Sequence, residues 1–354
     1  MLTAETVIPL STPRAVMDAL LDHMAEHGEV TEADGAWTVA FEIGKASARL
    51  RDDAIAFRVE ANDETSLSFL QWSVVEHVLE FAPGETPDVA WRGGLAQGAA
   101  LPYFREMRVV AVTQLTPRMR RLRLAGDDLE RFARHGLHVR LLLAPRPDVP
   151  VVWPVMAADG RQAWPEGERP VARVYTIRAI NVAAGTVEVD FVLHEGGHMP
   201  GAQFGLDAKP GDIVGMTGPG GGDLKPAESY LFLGDETALP AIGRMLEELP
   251  AGVAARAFIE IADEVERQAL ARPGVEVTWL PREDRPAGTT TLLADALAAI
   301  GPGFWATAPY VWGGCEQGAA RAIREHLKRE VKLPKGRSLV AAYWKLGEAG
   351  DVED

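Results

Sequence analysis

Six consecutive residues, Arg173-Val174-Tyr175-Thr176-Ile177-Arg178, combine the side chains that bind a phosphate-bearing aromatic molecule. Side chains alternate along a β-strand, so each face of this stretch would mix an arginine with apolar neighbours, which is unusual for a plain core strand. A guanidinium pairs bidentately with phosphate, a tyrosine ring offers a flat apolar surface, and threonine adds a short hydrogen bond. Taken alone, the hexapeptide favours an ordinary strand with solvated arginines, but the residues that follow it change this balance.

Two glycine-rich stretches follow the hexapeptide at spacings that a dinucleotide site would use. Residues 190–194 form a strand pattern that runs into the turn Glu195-Gly196-Gly197-His198-Met199-Pro200-Gly201-Ala202. A glycine-rich turn lets backbone N–H groups approach a pyrophosphate closely. Farther on, Pro210-Gly211-Asp212 leads into Thr217-Gly218-Pro219-Gly220-Gly221-Gly222, where the missing side chains would leave room for a planar ring. Each stretch is a weak signal, whereas their order after the hexapeptide is much more specific.

Composition excludes several classes of protein. The 354 residues include a single cysteine, Cys315, so an intrachain disulfide framework and an intrachain cysteine-ligated iron–sulfur cluster are excluded. Residues 1–90 contain 17 acidic and 5 basic side chains, a charge of −12 out of the total of −15. This balance argues against nucleic-acid binding. No membrane-length apolar run or signal-peptide pattern is present, so we expect no membrane insertion and a cytoplasmic location.

The chain predicts three domains. Residues 1–92 contain two amphipathic helices and short strands, which predicts a small α+β domain, and the Gly- and Ala-rich residues 87–102 are typical of a linker. Many short strands with turns between them predict an antiparallel β-barrel over residues 105–223, interrupted by a Pro- and Trp-rich loop at 144–170. Alternating strands and helices over residues 224–354 predict an α/β nucleotide-binding domain.

The sequence resembles the siderophore-interacting proteins, which are flavin-dependent ferric-siderophore reductases of the ferredoxin-reductase-like fold. The resemblance covers residues 105–348, and residues 1–92 resemble a small domain of unknown function sometimes fused ahead of this family. The stretches that carry it are Leu115-Thr116-Pro117-Arg118-Met119-Arg120-Arg121, His138-Val139-Arg140-Leu141, the Arg173–Arg178 hexapeptide, residues 190–194, Pro210-Gly211-Asp212 with Gly218-Pro219, Gly234-Asp235-Glu236-Thr237-Ala238-Leu239-Pro240-Ala241, Gly314-Cys315-Glu316 and Tyr343-Trp344-Lys345-Leu346-Gly347.

The resemblance implies FAD in the barrel and a nicotinamide dinucleotide on the α/β domain. Arg173 would hold the flavin phosphates, Tyr175 would stack on the isoalloxazine, Thr176 would hydrogen-bond near its reactive nitrogen, and His194 would support the pyrophosphate or adenine side. The full cofactor-binding prediction is Arg173, Tyr175, Thr176, Arg178, Asp190, Val192, His194, Gly201, Ala202, Gly218, Pro219, Gly220, Asp235, Glu236, Thr237, Glu260 and Trp344. No protein nucleophile or acid–base pair is required, because the flavin carries the chemistry.

Some positions depart from the family pattern. Glu195 follows His194 where the family commonly has glycine, Met199 stands before Pro200 where glycine is expected, and Phe204-Gly205 replaces a Trp-Ala pair. One residue is inserted ahead of Pro200, and Ala342 replaces the glycine usual before Tyr-Trp. These departures concern the details of the FAD turn and not its existence.

The preferred nicotinamide follows from acidic residues at the end of the second α/β strand. Glu260, Asp263 and Glu264 lie where the adenosine ribose normally sits, and a carboxylate there would bond the 2′-hydroxyl and repel a 2′-phosphate. The pattern therefore predicts NADH over NADPH, and an acidic solvent loop is the alternative.

The leading hypothesis is a flavoenzyme that passes electrons from NAD(P)H to ferric siderophores, with Arg118, Arg178 and Lys345 as candidates for contacts to an anionic chelate. Iron is released on reduction because hard oxygen ligands bind Fe(II) far less tightly. One alternative is a reductase of the same fold with another acceptor, such as free flavin, a quinone or an electron-carrier protein. A non-catalytic siderophore- or flavin-binding protein is the other, although it would not need a nicotinamide domain.

Overall fold

The computed structural model describes residues 1–26, 29–134, 136–145, 150–193, 199–222, 224–270 and 272–348. The strands are β1 (Leu2–Pro9), β2 (Val30–Ala33), β3 (Ala36–Phe41), β4 (Gly44–Leu50), β5 (Ala54–Ala61), β6 (Arg92–Gly93), β7 (Phe104–Thr116), β8 (Met119–Ala125), β9 (Gly136–Leu143), β10 (Val155–Met156), β11 (Gln162–Ala163), β12 (Val171–Asn181), β13 (Thr186–Val192), β14 (Ile213–Gly221), β15 (Ser229–Gly234), β16 (Ala254–Ile261), β17 (Val275–Pro281), β18 (Tyr310–Glu316) and β19 (Ser338–Trp344). The helices are α1 (Pro13–Met24), α2 (Glu64–Phe81), α3 (Pro200–Asp207), α4 (Leu239–Glu248), α5 (Leu292–Ala298), α6 (Pro302–Trp305) and α7 (Gln317–His326). Short 3-10 turns lie at Glu130–Ala133 and Glu264–Glu266, and a π-helical turn lies at Leu327–Val331.

The first of two compact units contains residues 1–104 and 148–169. Its antiparallel sheet has the order β2-β3-β4-β5-β1-β6, and α1 and α2 pack against it. Helix α2 begins where Asp63 accepts a hydrogen bond from the Ser66 N–H at 2.9 Å, which satisfies a donor that the first turn leaves unpaired. The predicted small α+β domain is confirmed.

Part of the predicted barrel loop belongs to this first unit. The β10–β11 hairpin is held by Trp91, whose indole N–H donates to the carbonyl of Asp159 at 2.9 Å. A Cβ at Gly160 would come within 2.9 Å of Gln71 Cβ, so the hairpin backbone lies directly on α2. The predicted linker at 87–102 is also structured here, because it supplies β6, which pairs with β1.

The second unit, residues 105–147 and 170–354, begins with a closed six-stranded barrel of order β12-β13-β8-β7-β14-β9. Alternating apolar side chains of these strands fill the barrel, with Leu122, Leu141, Ile177, Val189 and Phe191 fully buried. The predicted antiparallel barrel is confirmed. Residues 217–221, expected as a glycine-rich turn, are instead the last part of strand β14.

A five-stranded parallel sheet of order β17-β16-β15-β18-β19 follows the barrel in the same unit. Strand β15 is buried along its whole length, as expected for a strand covered on both faces. The strand order reverses at β15, with β16 and β17 on one side of it and β18 and β19 on the other, and ligands of such sheets bind outside the carboxyl ends of the strands at this point. Barrel and parallel sheet together confirm the predicted ferredoxin-reductase-like fold.

Barrel and parallel sheet share one hydrophobic core. Met119 and Leu137 of the barrel pack in the same cluster as Phe232, Ile242 and Trp312 of the sheet side. Polar contacts also join the barrel to the parallel-sheet half of this unit. Among the residues that the structure describes, no helix has both the length and the apolar character to cross a membrane.

Candidate cofactor site

Strand β12 places the predicted flavin residues on the barrel. Tyr175 is half-buried, and its ring centroid lies 4.3 Å from that of Phe191. Burial raises the pKa of the Tyr175 hydroxyl, against the opposing charge of Arg173, so the phenol stays protonated. Arg173 donates to the carbonyl of Ala172 at 2.7 Å and, within the described part of the chain, forms no ion pair. Its guanidinium is therefore available to an anionic ligand, and Thr176 of the same strand is buried.

Helix α3 lies against the Tyr175 side chain at Gly201. A Cβ at Gly201 would lie 2.2 Å from the Tyr175 hydroxyl oxygen, so only glycine allows this approach. Ala202 is buried next to it, and Pro200 occupies the first turn, where its missing N–H costs nothing. The free N–H groups of a helix start favour a phosphate. The predicted contact of His194 lies outside the described residues.

Strand β14 completes a group of three neighbouring strands. His138 of β9 lies opposite Thr176 of β12 on one side and opposite Gly220 of β14 on the other. A Cβ at Gly220 would meet no atom within 4 Å, so this position faces open space. The adjoining Gly218–Pro219 peptide is cis, and the Gly218 carbonyl accepts a hydrogen bond from Arg131 Nε at 2.9 Å. The strands thus bring Thr176, Gly218, Pro219 and Gly220 to one region of the barrel.

Two other predicted cofactor residues are engaged by charged partners of the protein itself. Asp190 is buried and accepts from Arg121 Nε at 2.6 Å and Nη2 at 2.8 Å. Arg178 donates to Glu247 of α4, with Nη1 at 2.7 Å from Oε2. The structure therefore separates these two side chains from the Arg173–Tyr175–Thr176 group, and Val192 lies opposite Met119 at the end of β13.

Asp235 connects the carboxyl ends of three parallel strands. Its Oδ2 accepts from the Glu316 N–H at 3.0 Å and from the Trp344 indole N–H at 2.8 Å, and its Oδ1 accepts from the Thr237 N–H at 2.9 Å. Glu316 in turn caps α7 and accepts from the Leu346 N–H at 3.3 Å. Asp235, Thr237 and Trp344 are therefore brought together at the sheet's switch point, but their polar atoms are used by one another.

A buried ionic cluster lies beside this network. Arg282 Nη1 is 2.5 Å from Glu236 Oε1 and 3.9 Å from Glu260 Oε1. Burial and the neighbouring Asp235 raise the pKa of Glu236 to about 7, despite Arg282. Burial also raises the pKa of Glu260, although the Thr290 hydroxyl donates to it at 2.7 Å and favours the charged form.

The acidic residues expected near the ribose are each paired. Glu260 is held by Thr290, Asp263 accepts from the Val265 N–H at 3.0 Å, and Glu264 pairs with Arg267. Their position at and after the end of β16 was predictable from the sequence, but their hydrogen-bond and ion-pair partners were not.

The predicted substrate contacts differ in availability. Arg118 is exposed, and its backbone N–H donates to Glu266 Oε1 at 3.0 Å while its side chain points to no carboxylate in the described chain. Lys345 forms an ion pair with Glu348 three residues later. No group of three or more acidic, cysteine or histidine side chains that could hold a metal ion occurs among the described residues.

Sequence reasoning missed four residues that organise this region: His138, Arg282, Glu266 and Tyr343. Glu266 is buried and accepts from the Thr116 hydroxyl and the Arg118 N–H, which ties the parallel-sheet half to the β7–β8 turn. His138 and Tyr343 both lie in motifs that carry the resemblance, but nothing in the local sequence shows that they contact each other across 205 residues.

The donor set and the free space fit FAD. Phosphates and a planar ring require an arginine that no described carboxylate neutralises, a helix start, a protonated tyrosine and an open glycine position, and the site supplies all four. Nothing in this set of donors requires a metal ion or a disulfide. The single cysteine, Cys315, is buried. Burial, together with Asp235 and other nearby carboxylates, raises the pKa of its thiol, so the thiol is inert.

Comparison with known families accounts for nearly the whole chain. Residues 108–223 match a model described as the siderophore-interacting FAD-binding domain, and residues 227–347 match one described as siderophore-interacting protein. Residues 5–92 match an uncharacterized domain conserved in bacteria.

Individual relatives agree with these matches. The ferric vibriobactin reductase ViuB of Vibrio cholerae is 28% identical over 251 residues, covering 70% of this chain and 91% of that protein. An NADPH-dependent ferric-chelate reductase of Escherichia coli is 31% identical over 191 residues, covering 51% of this chain and 73% of that protein. A crystal structure of a siderophore utilization protein from T. fusca is 35% identical, with a TM-score of 0.59, and covers 71% of this chain and 95% of that chain.

Proposed function

The chain belongs to the siderophore-interacting protein family, and from this premise we propose that it is an FAD-dependent reductase that passes electrons from NAD(P)H to ferric siderophores. Iron would leave as Fe(II), because the hard oxygen donors of a siderophore hold the softer ferrous ion far less tightly than Fe(III). ViuB and the E. coli relative carry ferric reductase names, which supports the same activity here.

The observation that carries the proposal is the alignment of β12, β9 and β14. It brings Thr176 next to His138 and His138 next to Gly220, while no carboxylate of the described residues neutralises the Arg173 guanidinium. Bound FAD supplies the chemistry that takes an electron pair from a reduced nicotinamide and delivers electrons singly to Fe(III).

The chain's own residues would bind and orient that cofactor. We assign the phosphates to Arg173 and the first turn of α3 at Gly201 and Ala202, and the planar ring to Tyr175, Thr176 and Gly220. Gly218 and Pro219 fix the course of β14 beside the ring position. Asp190, Val192 and Arg178 support the surrounding strands through their protein partners, and His194 remains part of the proposed phosphate side.

The nicotinamide dinucleotide is assigned to the carboxyl ends of β15 and β16, at the switch point marked by Asp235, Glu236 and Thr237. Glu260 adds a third carboxylate to those of Asp235 and Glu236, and Arg282 supplies a single positive charge beside the two glutamates. An excess of negative charge disfavours a 2′-phosphate, so we propose NADH as the preferred donor. The E. coli relative is NADPH-dependent by name, which makes a direct comparison of the two donors informative.

For the ferric chelate we propose contacts from Arg118 and Lys345. Arg118 is exposed at the β7–β8 turn, and Lys345 follows β19 directly after Trp344. Because many ferric siderophores are anionic, a cation that no carboxylate neutralises attracts them, and among the described residues Arg118 meets this condition better than Lys345, which pairs with Glu348.

The test is an anaerobic titration of the FAD-loaded protein, followed by visible absorption, with a coloured Fe(II) chelator present. NADH should bleach the flavin bands, and a ferric siderophore should restore them while the Fe(II) complex forms. Bleaching without restoration by any ferric chelate would assign the reductase to another acceptor. Failure to bind FAD would overturn the proposal and leave a non-catalytic binding protein.

Two broader assignments belong to the same proposal. We propose a cytoplasmic location, where NAD(P)H is supplied. We also keep the functional division into residues 1–92, 105–223 and 224–354, with the insertion at 148–169 packed in the first unit.

A further inference from the structure

One side-chain contact joins the barrel to the carboxyl end of the parallel sheet. The Tyr343 hydroxyl oxygen lies 2.7 Å from His138 Nε2, and the two rings meet edge to face with centroids 5.5 Å apart. His138 belongs to β9 of the barrel, and Tyr343 is the last residue but one of β19. The contact therefore spans the two halves of the proposed reductase.

The barrel side of this contact lies among the residues assigned to the flavin ring. His138 is opposite Thr176 on one neighbouring strand and opposite Gly220 on the other. A Cβ at Gly221 would come within 2.4 Å of His138 Nδ1, so the imidazole lies directly against the glycine-rich end of β14. The His138 side chain is thereby held against the strand that borders the proposed ring position.

The sheet side is equally constrained. The Tyr343 ring packs edge to face on Trp312, and a Cβ at Gly314 would lie 2.8 Å from that ring. The next residue, Trp344, donates to Asp235 at the switch point. Tyr343 is thus rigidly connected to the strand ends assigned to the nicotinamide dinucleotide.

Electrostatics give the hydrogen bond one direction. Burial, and then the charge of Arg244, lower the pKa of His138 to about 4, so the imidazole is neutral at neutral pH. Burial, with Asp235 and Cys315, raises the pKa of the Tyr343 hydroxyl, which stays protonated. We therefore assign Tyr343 as the donor and Nε2 of His138 as the acceptor, which leaves the imidazole proton on Nδ1.

Among the described residues, further polar links between the two halves start from α4 and from the 3-10 turn that holds Glu266. Arg244 donates to the Ile177 carbonyl at 2.9 Å and Arg178 pairs with Glu247, both on α4, while Glu266 reaches the β7–β8 turn. These contacts attach the sheet's flank to the barrel. The His138–Tyr343 bond instead joins the flavin strands to the strand ends at which the dinucleotide is assigned.

We propose that His138 and Tyr343 are positioning residues, whose hydrogen bond sets the alignment of the nicotinamide site with the flavin site. This inference rests on the proposed function. Hydride transfer is sensitive to the alignment of the nicotinamide and flavin rings, and a displacement of about 1 Å can lower the rate roughly a hundredfold.

The experiment compares Tyr343→Phe with Tyr230→Phe. Tyr230 is a buried tyrosine of the same sheet, whose hydroxyl bonds the Ala227 N–H at 2.8 Å and the Lys225 carbonyl at 3.1 Å, away from the barrel contact. Both variants lose one buried hydroxyl, so a loss of stability alone should be similar in the two. FAD affinity should change in neither.

Two signals separate positioning from stability. Tyr343→Phe should lower the limiting rate at which saturating NADH or NADPH bleaches the flavin by about 10- to 100-fold, with little change in nicotinamide affinity. With a non-reducing nicotinamide analogue, it should also lose most of the long-wavelength charge-transfer band that stacked nicotinamide and flavin rings produce. Tyr230→Phe should retain both signals.

Substitution of the histidine provides the rescue test. His138→Gln keeps an acceptor near the position of Nε2 and should retain most of the rate and the band, whereas His138→Leu should lose both as Tyr343→Phe does. The inference would be overturned if Tyr343→Phe and His138→Leu had the same bleaching rate and charge-transfer band as Tyr230→Phe. The proposed function would then remain intact. If neither nicotinamide bleaches the wild-type flavin, the proposed function fails, and the positioning role fails with it.

Discussion

The indole N–H of Trp344 donates to Oδ2 of Asp235 at 2.8 Å, so one carboxylate oxygen holds the end of β19 against the end of β15. The Glu316 N–H of the intervening strand β18 donates to the same oxygen at 3.0 Å. Three carboxyl ends of the parallel sheet therefore depend on one buried charge. This arrangement gives the carboxylate that follows β15 a structural role at the switch point of the sheet.

Replacement of that carboxylate should be costly. Four donors converge on Asp235, from Thr237 twice, Glu316 and Trp344. Asp235→Asn exchanges one acceptor oxygen for a donor, so we expect a loss of about 2–3 kcal/mol in the free energy of unfolding, measured by urea denaturation. Asp263→Asn is the matched control, because Asp263 accepts from the Val265 N–H alone and an amide retains that capacity. Equal losses in the two variants would contradict the assignment.

The elements that were predictable from the sequence are those with a strong local pattern. Strand β16, Ala254–Ile261, was predictable because six of its eight residues are apolar and its ends are marked by Gly252 and Asp263. Helix α3 was missed, because Gly201 and Gly205 lower helix propensity. Tertiary packing overrides this cost: a Cβ at Gly205 would come within 2.8 Å of Phe191, and one at Gly201 within 2.2 Å of Tyr175.

The cofactor residues were predictable as types but not as partners. The alternation puts Arg173 and Arg178 on opposite faces of the strand, but it cannot show that Arg178 pairs with Glu247, 69 residues away. Likewise, β1 was missed because the polar Thr6 is buried while Val7 is exposed, and the burial of the strand follows from its place between β5 and β6. Long-range pairing of this kind is carried by the fold and not by a local pattern.

Neighbouring glycines of β14 should respond differently to alanine. A Cβ at Gly220 meets no atom within 4 Å, so Gly220→Ala should leave the stability of the apoprotein unchanged but weaken FAD binding, because the methyl group enters the space assigned to the ring. Gly221→Ala should instead destabilise the apoprotein, since its Cβ would lie 2.4 Å from His138 Nδ1 and its φ is +85°. Thermal unfolding of the apoproteins and FAD titration by fluorescence quenching measure the two effects. Normal FAD affinity in Gly220→Ala would place the ring elsewhere.

Arg173 should contribute to FAD affinity through its charge. A charge-assisted hydrogen bond to phosphate contributes about 1.5–3 kcal/mol, so Arg173→Ala should weaken FAD binding by roughly 10- to 150-fold. Arg173→Lys should recover only part of this, because an ammonium cannot bind a phosphate with two parallel N–H groups. Arg123→Ala is the control, since Arg123 is an exposed barrel arginine that pairs with Glu188. Isothermal titration of the apoproteins with FAD gives the affinities, and a similar loss in Arg123→Ala would indicate a general charge effect.

Glu236 should make the apoprotein less stable as the pH rises. Its pKa is about 7 in the folded protein, compared with an ordinary value of 4.5, so folding favours the neutral carboxyl. The stability that this preference contributes is complete below pH 4.5 and is lost as the pH rises through 7, by up to about 3 kcal/mol. Glu236→Gln stays neutral at every pH and lacks this dependence.

The stability difference between Glu236→Gln and the wild type should therefore shift in favour of the variant by up to about 3 kcal/mol between pH 4.5 and pH 8. Urea denaturation at several pH values measures the shift, and other titrating groups cancel in the difference. Glu276→Gln, at a mostly exposed glutamate paired with Arg256, is the control and should give a nearly constant difference. A constant difference for Glu236→Gln as well would mean that Arg282 keeps Glu236 ionised throughout, and the site would then carry a full negative charge towards the dinucleotide at all of these pH values.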